Sequence, residues 1–321
     1  MIKKIAILTS GGDAPGMNAA LRCCVRAGLY YGKEMYVVYD GYKGLVEGNI
    51  HQVTKDFTAD IINRGGTIIR TARLKEFKER ETVLKAVEIL HDFDIDVVIG
   101  IGGDGTYRGL QCLANEGIKV IGIPGTIDND VASTDYTIGF MTALNTICDC
   151  VDKIKDTSSS HQRCSVIEVM GRHCGDLAVF SSIAEGAEMT ISSDHAVKEE
   201  ELFKKLRRLK SQKKSHAIVI VSENLYDIHE LGARIQEKTG FETKCEVLGR
   251  LQRGGNPCAF DRILAARLSA HAIELCNHEF ETNGRICGFK NGEVVDYPID
   301  EALEMKRDIH KKLISLIDLL Q

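Results

Sequence analysis

The sequence predicts an α/β fold with mainly parallel sheets. Short apolar runs typical of buried strands alternate with amphipathic helical patterns throughout the chain. Several of these runs end in a glycine-rich loop followed directly by a helical pattern, which is the order of elements in the strand–loop–helix units of a parallel sheet. The chain has only four prolines and no serine-rich or glycine-rich spacer, so we expect any domain boundary to be a chain crossing without a flexible tether.

Length and composition bound the class of protein. With 321 residues, the chain is long enough for two domains with sizeable cores. Its hydrophobic content of 44% and charged content of 27% are those of an ordinary globular protein. A net charge of -5 argues against nucleic acid as a partner. No apolar run has the length of a membrane span and no signal peptide is recognisable, so we expect a cytoplasmic protein without a membrane partner.

The cysteines predict reduced thiols. Their number, eleven, is odd, and the chain is large for a domain held together by disulfides. The close pairs Cys23–Cys24 and Cys148/Cys150 lack the two-residue gap of common zinc sites. We therefore expect buried structural cysteines, with a metal or redox site as the alternative.

The first strand and the loop after it predict a phosphate site. The strand Ile5–Leu8 is followed by Thr9–Asn18, a loop with three glycines and one proline. Bare backbone N–H groups and the start of a helix can bind an anion, whereas a plain strand-to-helix turn needs fewer glycines. Arg22 and Arg26 lie on one face of the helix that follows, where a solvated surface is the ordinary interpretation.

The next segments offer an aromatic ring and two arginines. The strand Met35–Tyr39 leads to Tyr42, which either stacks on a base or packs against the core, and the sequence leaves both open. The segment Gly65–Arg73 predicts a loop and then a strand. It carries Arg70 and Arg73, either of which could meet a phosphate.

Two further strands end in loops that carry the candidate chemistry. The apolar run Asp96–Ile101 leads into Gly102–Thr106, and the run Val120–Ile123 leads into Pro124–Asp130. Open α/β sheets bind ligands at such strand ends, so we expect the two loops to be neighbours. A formal dinucleotide fingerprint in the first loop is a weak signal alone, and the carboxylate of Asp104 would repel a pyrophosphate unless a cation lay between them. We therefore expect Asp104 to bind nucleotide-bound Mg²⁺.

The second of these loops predicts a general base. It contains two carboxylates, Asp128 and Asp130, and the hydroxyl of Thr126. Two close carboxylates perturb each other's pKa, which can prepare one of them to take a proton from an acceptor hydroxyl. Asp128 is the candidate base, and Arg73 would neutralise charge on a transferred phosphoryl group.

The second half of the chain continues the alternation. A long helix is predicted over Tyr136–Thr157, and strands are predicted over Ser165–Val169 and Ala217–Val221. The first of these strands leads into the glycine-containing loop Met170–Gly175. The carboxy-terminal segment Glu301–Leu320 is predicted to be one amphipathic helix.

Arginines are more numerous than one transferred phosphate requires. Arg163 and Arg172 lie in or near strand-end loops, and Arg250 and Arg253 lie in the loop Gly249–Asn256. Because guanidinium groups bind phosphate in a bidentate manner, the surplus suggests an acceptor that already carries a phosphate.

Six segments together resemble a known family. They are Gly11–Asn18, Gly102–Gly105, Pro124–Asp130, Ser158–Arg163, Met170–Arg172 and Gln252–Gly255. In type and order they are similar to the motifs of bacterial ATP-dependent 6-phosphofructokinases (phosphofructokinase A family), and the resemblance covers nearly the whole chain. It implies a cytoplasmic homotetramer that uses Mg²⁺ and transfers the γ-phosphate of ATP to O1 of fructose 6-phosphate in glycolysis.

The resemblance also implies a domain organisation. The fold would consist of two Rossmann-like three-layer α/β domains with mainly parallel sheets and the active site in the cleft between them. Residues 1–138 plus 251–300 would form the ATP- and magnesium-binding domain. Residues 139–250 plus 301–321 would form the fructose 6-phosphate-binding domain.

Individual residues receive roles from the resemblance. Asp128 would be the general base, Thr126, Asp130 and Arg172 the other catalytic residues, and Asp104 the Mg²⁺ ligand. The expected ATP-binding residues are Gly12, Tyr42, Arg73, Gly103, Asp104, Gly105 and Thr106. The expected sugar-phosphate-binding residues are Thr126, Asp128, Arg163, Met170, Gly171, Arg172, Glu223, Lys244, Arg250 and Arg253, with Arg163 reaching in from a neighbouring subunit.

Two glycines indicate which phosphoryl donor the resemblance implies. Family members that use pyrophosphate carry Asp where this chain has Gly105 and Lys where it has Gly125. Those side chains would occupy the space and charge of the ATP α-phosphate, so both glycines favour ATP.

Several positions depart from the family's pattern. Lys244 stands where an arginine clamps the sugar 6-phosphate, and Arg250 where a histidine is common. A lysine cannot form the bidentate fork, so sugar affinity or cooperativity is expected to differ.

The effector site departs further. Its expected residues are Arg22, Arg26, Lys55, Lys155, Glu185, Glu188 and Lys214. Lys55 and Lys155 replace arginines there, and Glu185 replaces a glycine. A carboxylate added to an anion site predicts altered regulation by nucleotides or phosphoenolpyruvate.

Two alternatives of another kind stay open at this point. Lipid and NAD kinases share the short Gly102–Thr106 motif, although they have no need of the Pro124–Asp130 loop. A non-catalytic paralogue could bind sugar phosphate as a sensor, but a sensor has no use for a base at Asp128 and a metal ligand at Asp104.

Overall fold

The structure is a computed structural model that describes residues 2–278, 282–307 and 310–320. Within these ranges the strands are β1 (Lys4–Thr9), β2 (Glu34–Val38), β3 (Ile50–Val53), β4 (Val97–Gly102), β5 (Lys119–Thr126), β6 (Ile138–Gly139), β7 (Cys164–Val169), β8 (Met189–Ile191), β9 (Ala217–Ser222), β10 (Thr243–Val247), β11 (Gly284–Lys290) and β12 (Glu293–Pro298). The helices are α1 (Met17–Tyr30), α2 (Gly41–Val46), α3 (Arg80–Asp92), α4 (Asp104–Asn115), α5 (Phe140–His161), α6 (Asp176–Glu185), α7 (Glu199–Ser211), α8 (Ile228–Thr239), α9 (Ala259–Leu275), α10 (Ile299–Glu304) and α11 (Lys311–Leu320). Short 3-10 helices cover Lys55–Thr58, Lys75–Lys78 and Gly249–Arg253.

The chain folds into two compact units. The first comprises Met1–Thr142 and Arg253–Arg307, and the second comprises Ala143–Gln252 and Asp308–Gln321. The domain boundaries expected from the resemblance follow residues 138, 250 and 300. A boundary after residue 300 would divide α10 (Ile299–Glu304), whereas the whole of this helix lies in the first unit. The ligand that each unit takes stays a prediction.

The first unit contains an eight-stranded sheet. Its strand order is β12-β11-β5-β4-β1-β2-β3, and β6 pairs with the end of β5. The central strands run parallel, and only the outer pairs β2/β3 and β11/β12 are antiparallel. This confirms the predicted α/β class with a mainly parallel sheet.

Both faces of the first sheet are buried. Ala6 and Leu8 of β1 belong to a core that includes side chains of α3 and α4. Successive side chains of a strand point to opposite faces, and the alternate residues Ile5 and Ile7 are also fully buried. The apolar runs of the sequence therefore mark central strands, and the loops at their carboxyl ends are left to carry polar groups.

The second unit contains a four-stranded parallel sheet. Its order is β10-β7-β9-β8, which makes β10 and β8 the edge strands. Val166 of β7 and Val219 of β9 pack in one core with Leu202 of α7 and Leu231 of α8. The loops after β7 and β9 consequently emerge at the same edge of this sheet.

Two predicted elements were wrong. The segment Gly65–Arg73 forms no strand: Ile68 donates its N–H to the side chain of Asn18 at 2.8 Å, and Arg70 donates to the carbonyl of Thr67 at 3.1 Å. The carboxy-terminal pattern is two helices rather than one, because Met305, directly after α10, has an extended backbone (φ -58°, ψ 141°) that ends the helix.

The described helices include none with the length and apolar character needed to cross a membrane. All eleven cysteines are free thiols. Five are buried, as expected, whereas the other six are only half-buried. Burial raises the pKa of Cys24 and of Cys276 to about 12, so these thiols stay protonated near neutral pH.

Candidate active site

The loop after β1 is tightly folded around its glycines. Gly16 has φ 108°, and a side chain there would lie 2.5 Å from Ile138, so only glycine fits. Ser10 donates its N–H to the carbonyl of Ile101 at 3.2 Å and accepts at its own carbonyl from the hydroxyl of Thr106 at 3.1 Å. The loop after β1 is therefore tied to the turn after β4.

The turn after β4 exposes one carboxylate and one bare backbone position. Asp104 begins α4, and its half-exposed carboxylate pairs with Arg108 at 2.9 Å. A side chain at Gly105 would meet nothing within 4 Å, whereas one at Gly102 would lie 2.1 Å from the hydroxyl oxygen of Thr106. The turn thus packs closely at its start and opens at Gly105.

The structure places Tyr42 in the core. Its side chain is 5% exposed, its ring stacks on Phe77 with centroids 4.2 Å apart, and its hydroxyl donates to the carbonyl of Thr106 at 2.5 Å. The ring fits so closely that a side chain at Gly109 would lie 2.4 Å from it. Of the two interpretations left open by the sequence, packing is the one that these contacts support.

The loop after β5 lies beside the turn after β4, as expected. The strands β4 and β5 are parallel, with Gly102 opposite Pro124, and a side chain at Gly103 would lie 3.5 Å from Thr126. Asp128 is 8% exposed and donates its N–H to the hydroxyl of Thr126 at 3.2 Å. The neighbourhood of the two loops is confirmed, while the roles of their residues stay predictions.

A fully buried carboxylate, missed in the sequence, supports the same region. Asp261 of α9 accepts from the N–H of Gly139 at 3.0 Å, and from the N–H and the hydroxyl of Thr142 at 2.8 and 2.5 Å. Burial raises the pKa of Asp261, and the hydrogen bonds from Thr142 oppose that shift. The only local signal was an acidic residue in the first turn of a helix, which is common on exposed helices too.

The arginines of the first unit differ in their surroundings. Arg73 is exposed in the segment between Arg70 and the 3-10 helix at residue 75. Arg70 pairs with Asp40 at 2.9 Å. Arg253 pairs with the carboxylate of Asp13 and also donates to its carbonyl at 3.3 Å, and a side chain at Gly12 would lie 2.9 Å from this guanidinium. Arg253 thus lies against the glycine-rich loop.

In the second unit, Glu223 fixes the loop after β7. Its carboxylate accepts from the N–H of Gly171 at 3.2 Å and of Arg172 at 2.9 Å, and the N–H of Met170 donates to Gln252 at 3.0 Å. Gly171 and Arg172 have φ 131° and 54°, so the loop is held in a left-handed conformation. The loop after β7 therefore places three of the predicted sugar-phosphate residues, Met170, Gly171 and Arg172, next to a fourth, Glu223.

The edge of the second sheet carries two more predicted residues around one carboxylate. Glu242 pairs with Arg163 at 2.7 Å and with Lys244 at 3.6 Å. The hydrogen bond from Arg163 is the main cause that lowers the pKa of Glu242. Arg250 is exposed in the 3-10 helix after β10.

The predicted effector residues of the second unit form two acid–base pairs. Lys155 lies 2.5 Å from the carboxylate of Glu185, which is only 6% exposed. Lys214 pairs with Glu188, whose other oxygen accepts from the N–H of Ile218 at 2.6 Å. The predicted anion site of this unit thus already contains two carboxylates.

The first unit holds the other three predicted effector residues. Arg26 donates to the hydroxyl of Thr58 at 3.3 Å, Arg22 is half-buried on the same helix, and Lys55 begins a 3-10 helix. Because Thr58 belongs to the same 3-10 helix, Arg26 contacts the helix that carries the exposed Lys55.

Comparison with known proteins gives bacterial relatives that match over nearly their whole length. The sequence model of the family described as Phosphofructokinase matches residues 4–276. An ATP-dependent 6-phosphofructokinase of Photobacterium profundum is 50% identical over 321 residues, which covers 100% of both chains. One from Clostridium novyi is 50% identical over 319 residues and 99% of both chains. The solved phosphofructokinase structure from Saccharomyces cerevisiae matches with a TM-score of 0.87 and 34% identity over 99% of this chain and 47% of the yeast chain, so this chain spans about half of the yeast chain's length.

Proposed function

Because this chain belongs to the phosphofructokinase family, we propose that it is an ATP-dependent kinase that transfers the γ-phosphoryl group to O1 of fructose 6-phosphate. The products are fructose 1,6-bisphosphate and ADP, and the reaction is a step of glycolysis. The observation that carries the proposal is the adjacency of Gly102–Thr106 and Thr126–Asp130 at the carboxyl ends of two parallel strands. A phosphate-binding turn and a base-bearing loop are thereby side by side.

Asp128 is the proposed general base. Its carboxylate takes the proton from the O1 hydroxyl as that oxygen attacks the γ-phosphorus, and the bond to the leaving ADP oxygen breaks. The side chain is largely buried, which limits competition from bulk water, and its backbone is bonded to Thr126. Thr126 and Asp130 support the base in this proposal.

The nucleotide is assigned to backbone groups of the first unit. The loop around Gly12 and the turn Gly103–Thr106 offer N–H groups to the phosphates, and Arg73 supplies an exposed positive charge. Tyr42 acts indirectly, because its hydroxyl holds the carbonyl of Thr106 in the first turn of α4. Gly105 faces open space, so the turn is unobstructed at the position where pyrophosphate-using relatives carry Asp.

Asp104 fits a magnesium site. Its carboxylate is half-exposed at the end of a central strand, and Mg²⁺ prefers a few carboxylate oxygens together with water and nucleotide phosphates. Arg108 already pairs with this carboxylate, so Asp104 would exchange that partner on binding the ion. A bound Mg²⁺ would neutralise charge on the β- and γ-phosphates.

The sugar phosphate is assigned to the loop Met170–Arg172 and Glu223 of the second unit. Arg172 is proposed to be catalytic, and its left-handed backbone is held by Glu223. Arg250 and Arg253 supply further guanidinium groups, and Arg163 and Lys244 contribute across a subunit interface of a homotetramer. The replacement of an arginine by Lys244 is expected to weaken phosphate binding.

The two alternatives from the sequence are not favoured. A lipid or NAD kinase that shares only the Gly102–Thr106 motif does not explain identity of about half over the full length of named 6-phosphofructokinases. A sensor paralogue gives no reason for keeping Asp104 and Asp128.

Steady-state turnover of fructose 6-phosphate tests the proposal. We expect the wild type to use Mg-ATP and not Mg-pyrophosphate, and we expect Asp128→Ala to lose about three orders of magnitude or more in kcat while sugar binding is retained. The readouts are coupled-assay kinetics for both donors and calorimetric binding of the sugar phosphate.

Asp94→Asn is the matched control. This carboxylate is 83% exposed and precedes β4, at the opposite end of the strand from the candidate site, so kcat should not change. Asparagine also tolerates the left-handed backbone of this position (φ 52°). Sugar binding without turnover by the wild type would instead support the sensor, and unchanged kcat in Asp128→Ala would remove the base.

A further inference from the structure

The loop that carries Asp128 is irregular and needs support. Asn129, the next residue, has φ 53°, a left-handed conformation, and its side chain is only 4% exposed. Asparagine tolerates this conformation, but a loop outside regular secondary structure keeps one fixed position only where surrounding contacts hold it. The structure shows what holds it.

Two side chains connect this loop to the segment that follows it. The amide oxygen of Asn129 accepts from the N–H of Thr137 at 2.9 Å, and the amide nitrogen donates to the carbonyl of Asp135 at 3.1 Å. The hydroxyl of Thr137, which is fully buried, donates to the carbonyl of Thr126 at 2.6 Å. We call these contacts the Asn129–Thr137 bridge; they tie down the loop on both sides of Asp128.

The far end of the bridge is itself anchored. Thr137 directly precedes β6, and β6 pairs with the end of β5 through Gly125–Ile138 and Thr126–Gly139. The N–H of Gly139 donates to the fully buried carboxylate of Asp261 at 3.0 Å. The loop is therefore connected to α9 as well as to its own strand.

We propose that Asn129 and Thr137 are positioning residues that hold Asp128 in its reactive place. The inference rests on the proposed function of Asp128. Displacing a reacting group by about 1 Å can cost on the order of a hundredfold in rate, and the loss of one bridge atom leaves buried polar groups without their partner. Neither side chain needs to touch the reacting atoms for this effect.

Thr137→Val tests the bridge, because valine keeps the shape of threonine and removes the hydroxyl. We expect kcat to fall by roughly 30- to 100-fold while KM for both substrates stays within about twofold. Thr137→Ser restores the hydroxyl and should recover most of kcat. Asn129→Gly, which permits the left-handed backbone without the amide, should behave as Thr137→Val does.

Thr134→Val is the matched control. Thr134 lies in the same segment and is buried, but its hydroxyl bonds the carbonyl of Tyr136 at 2.8 Å and the N–H of Phe289 at 2.9 Å, outside the loop. This variant measures the cost of losing one buried hydroxyl here. We expect a similar change in melting temperature to that of Thr137→Val with nearly normal kcat.

Amide hydrogen exchange of the peptide over residues 126–130, without substrates, gives a readout independent of activity. Exchange should rise in Thr137→Val and Asn129→Gly, and not in Thr134→Val or Thr137→Ser. Unchanged exchange and a kcat within about threefold of wild type in Thr137→Val would overturn the bridge and leave the proposed function intact. A wild type that fails to phosphorylate the sugar would remove the proposed function, and exchange would still decide whether the bridge holds the loop.

Discussion

Among single residues, Glu185 adds a negative charge to the predicted effector site, beside that of Glu188. Its carboxylate is nearly buried and lies 2.5 Å from Lys155, so an incoming anion must compete with a negative charge already in place. We predict that Glu185→Gly increases the response to ADP by about fivefold or more, measured as the shift in the fructose 6-phosphate concentration that gives half-maximal velocity.

Glu185→Gln separates charge from size. Glutamine keeps the volume of the side chain and removes its charge, so this variant should show most of the increase in the response to ADP that is expected for Glu185→Gly. Equal responses to ADP in the wild type and in both variants would show that this carboxylate does not govern the site.

The sequence was informative about residues whose signal is local. The Gly102–Thr106 turn and the Asp128 loop stood out because each directly follows a continuous apolar run. Asn129 and Thr137 did not, because their importance lies in hydrogen bonds to residues 6 to 11 positions away, for which the residue types alone carry no signal. Asp261 could not be predicted for the same reason, because its hydrogen bonds are to residues 119 to 122 positions away in the chain.

At the level of single elements, α8 depends on its N-cap. The carboxylate of Asp227 accepts from the N–H groups of His229 at 2.9 Å and Glu230 at 3.0 Å. The hydrogen bond from Glu230 is the main cause that lowers the pKa of Asp227. Because the folded pKa lies below the unfolded one, the stabilisation is present above the unfolded pKa and is lost as pH falls through the folded pKa.

We predict that Asp227→Asn, which keeps a capping oxygen without the charge, lowers the thermal midpoint near pH 7. The difference from wild type should shrink as pH drops below about 4, the ordinary range of an aspartate carboxyl. Thermal melts over a pH series measure it, with the exposed Asp92→Asn at the end of α3 as control. A difference that stays constant with pH would mean that the charge of the cap contributes nothing.

Strands were easiest to predict from the sequence where both of their faces are buried. Central strands such as β4 and β5 are buried on both faces and appear as unbroken apolar runs. Edge strands such as β10 are half exposed, so their mixed composition gave no comparable pattern. The wrong strand at Gly65–Arg73 came from an apolar pair of which only Ile69 is fully buried, within a turn.

For the whole molecule, we predict a homotetramer. Lys244 lies on the edge strand β10 of the second unit, and Arg163 directly precedes the neighbouring strand β7; both pair with Glu242. The resemblance assigns both residues to a site shared between subunits. Light scattering should give four times the 35.4 kDa of one chain. The measurement is made over a range of protein concentrations, because dissociation appears on dilution. A mass of one chain at all concentrations contradicts the prediction.

The first sheet is assembled from distant parts of the chain, and this has a consequence for biosynthesis. The strand β5 gains its neighbour β11 only when residues 284–290 have left the ribosome, after the whole of the second sheet has been translated. Until then the nascent polypeptide presents the open edge of an apolar strand, which is a surface prone to aggregation. We therefore expect a newly made chain to need protection by chaperones until β11 has been translated and has paired with β5.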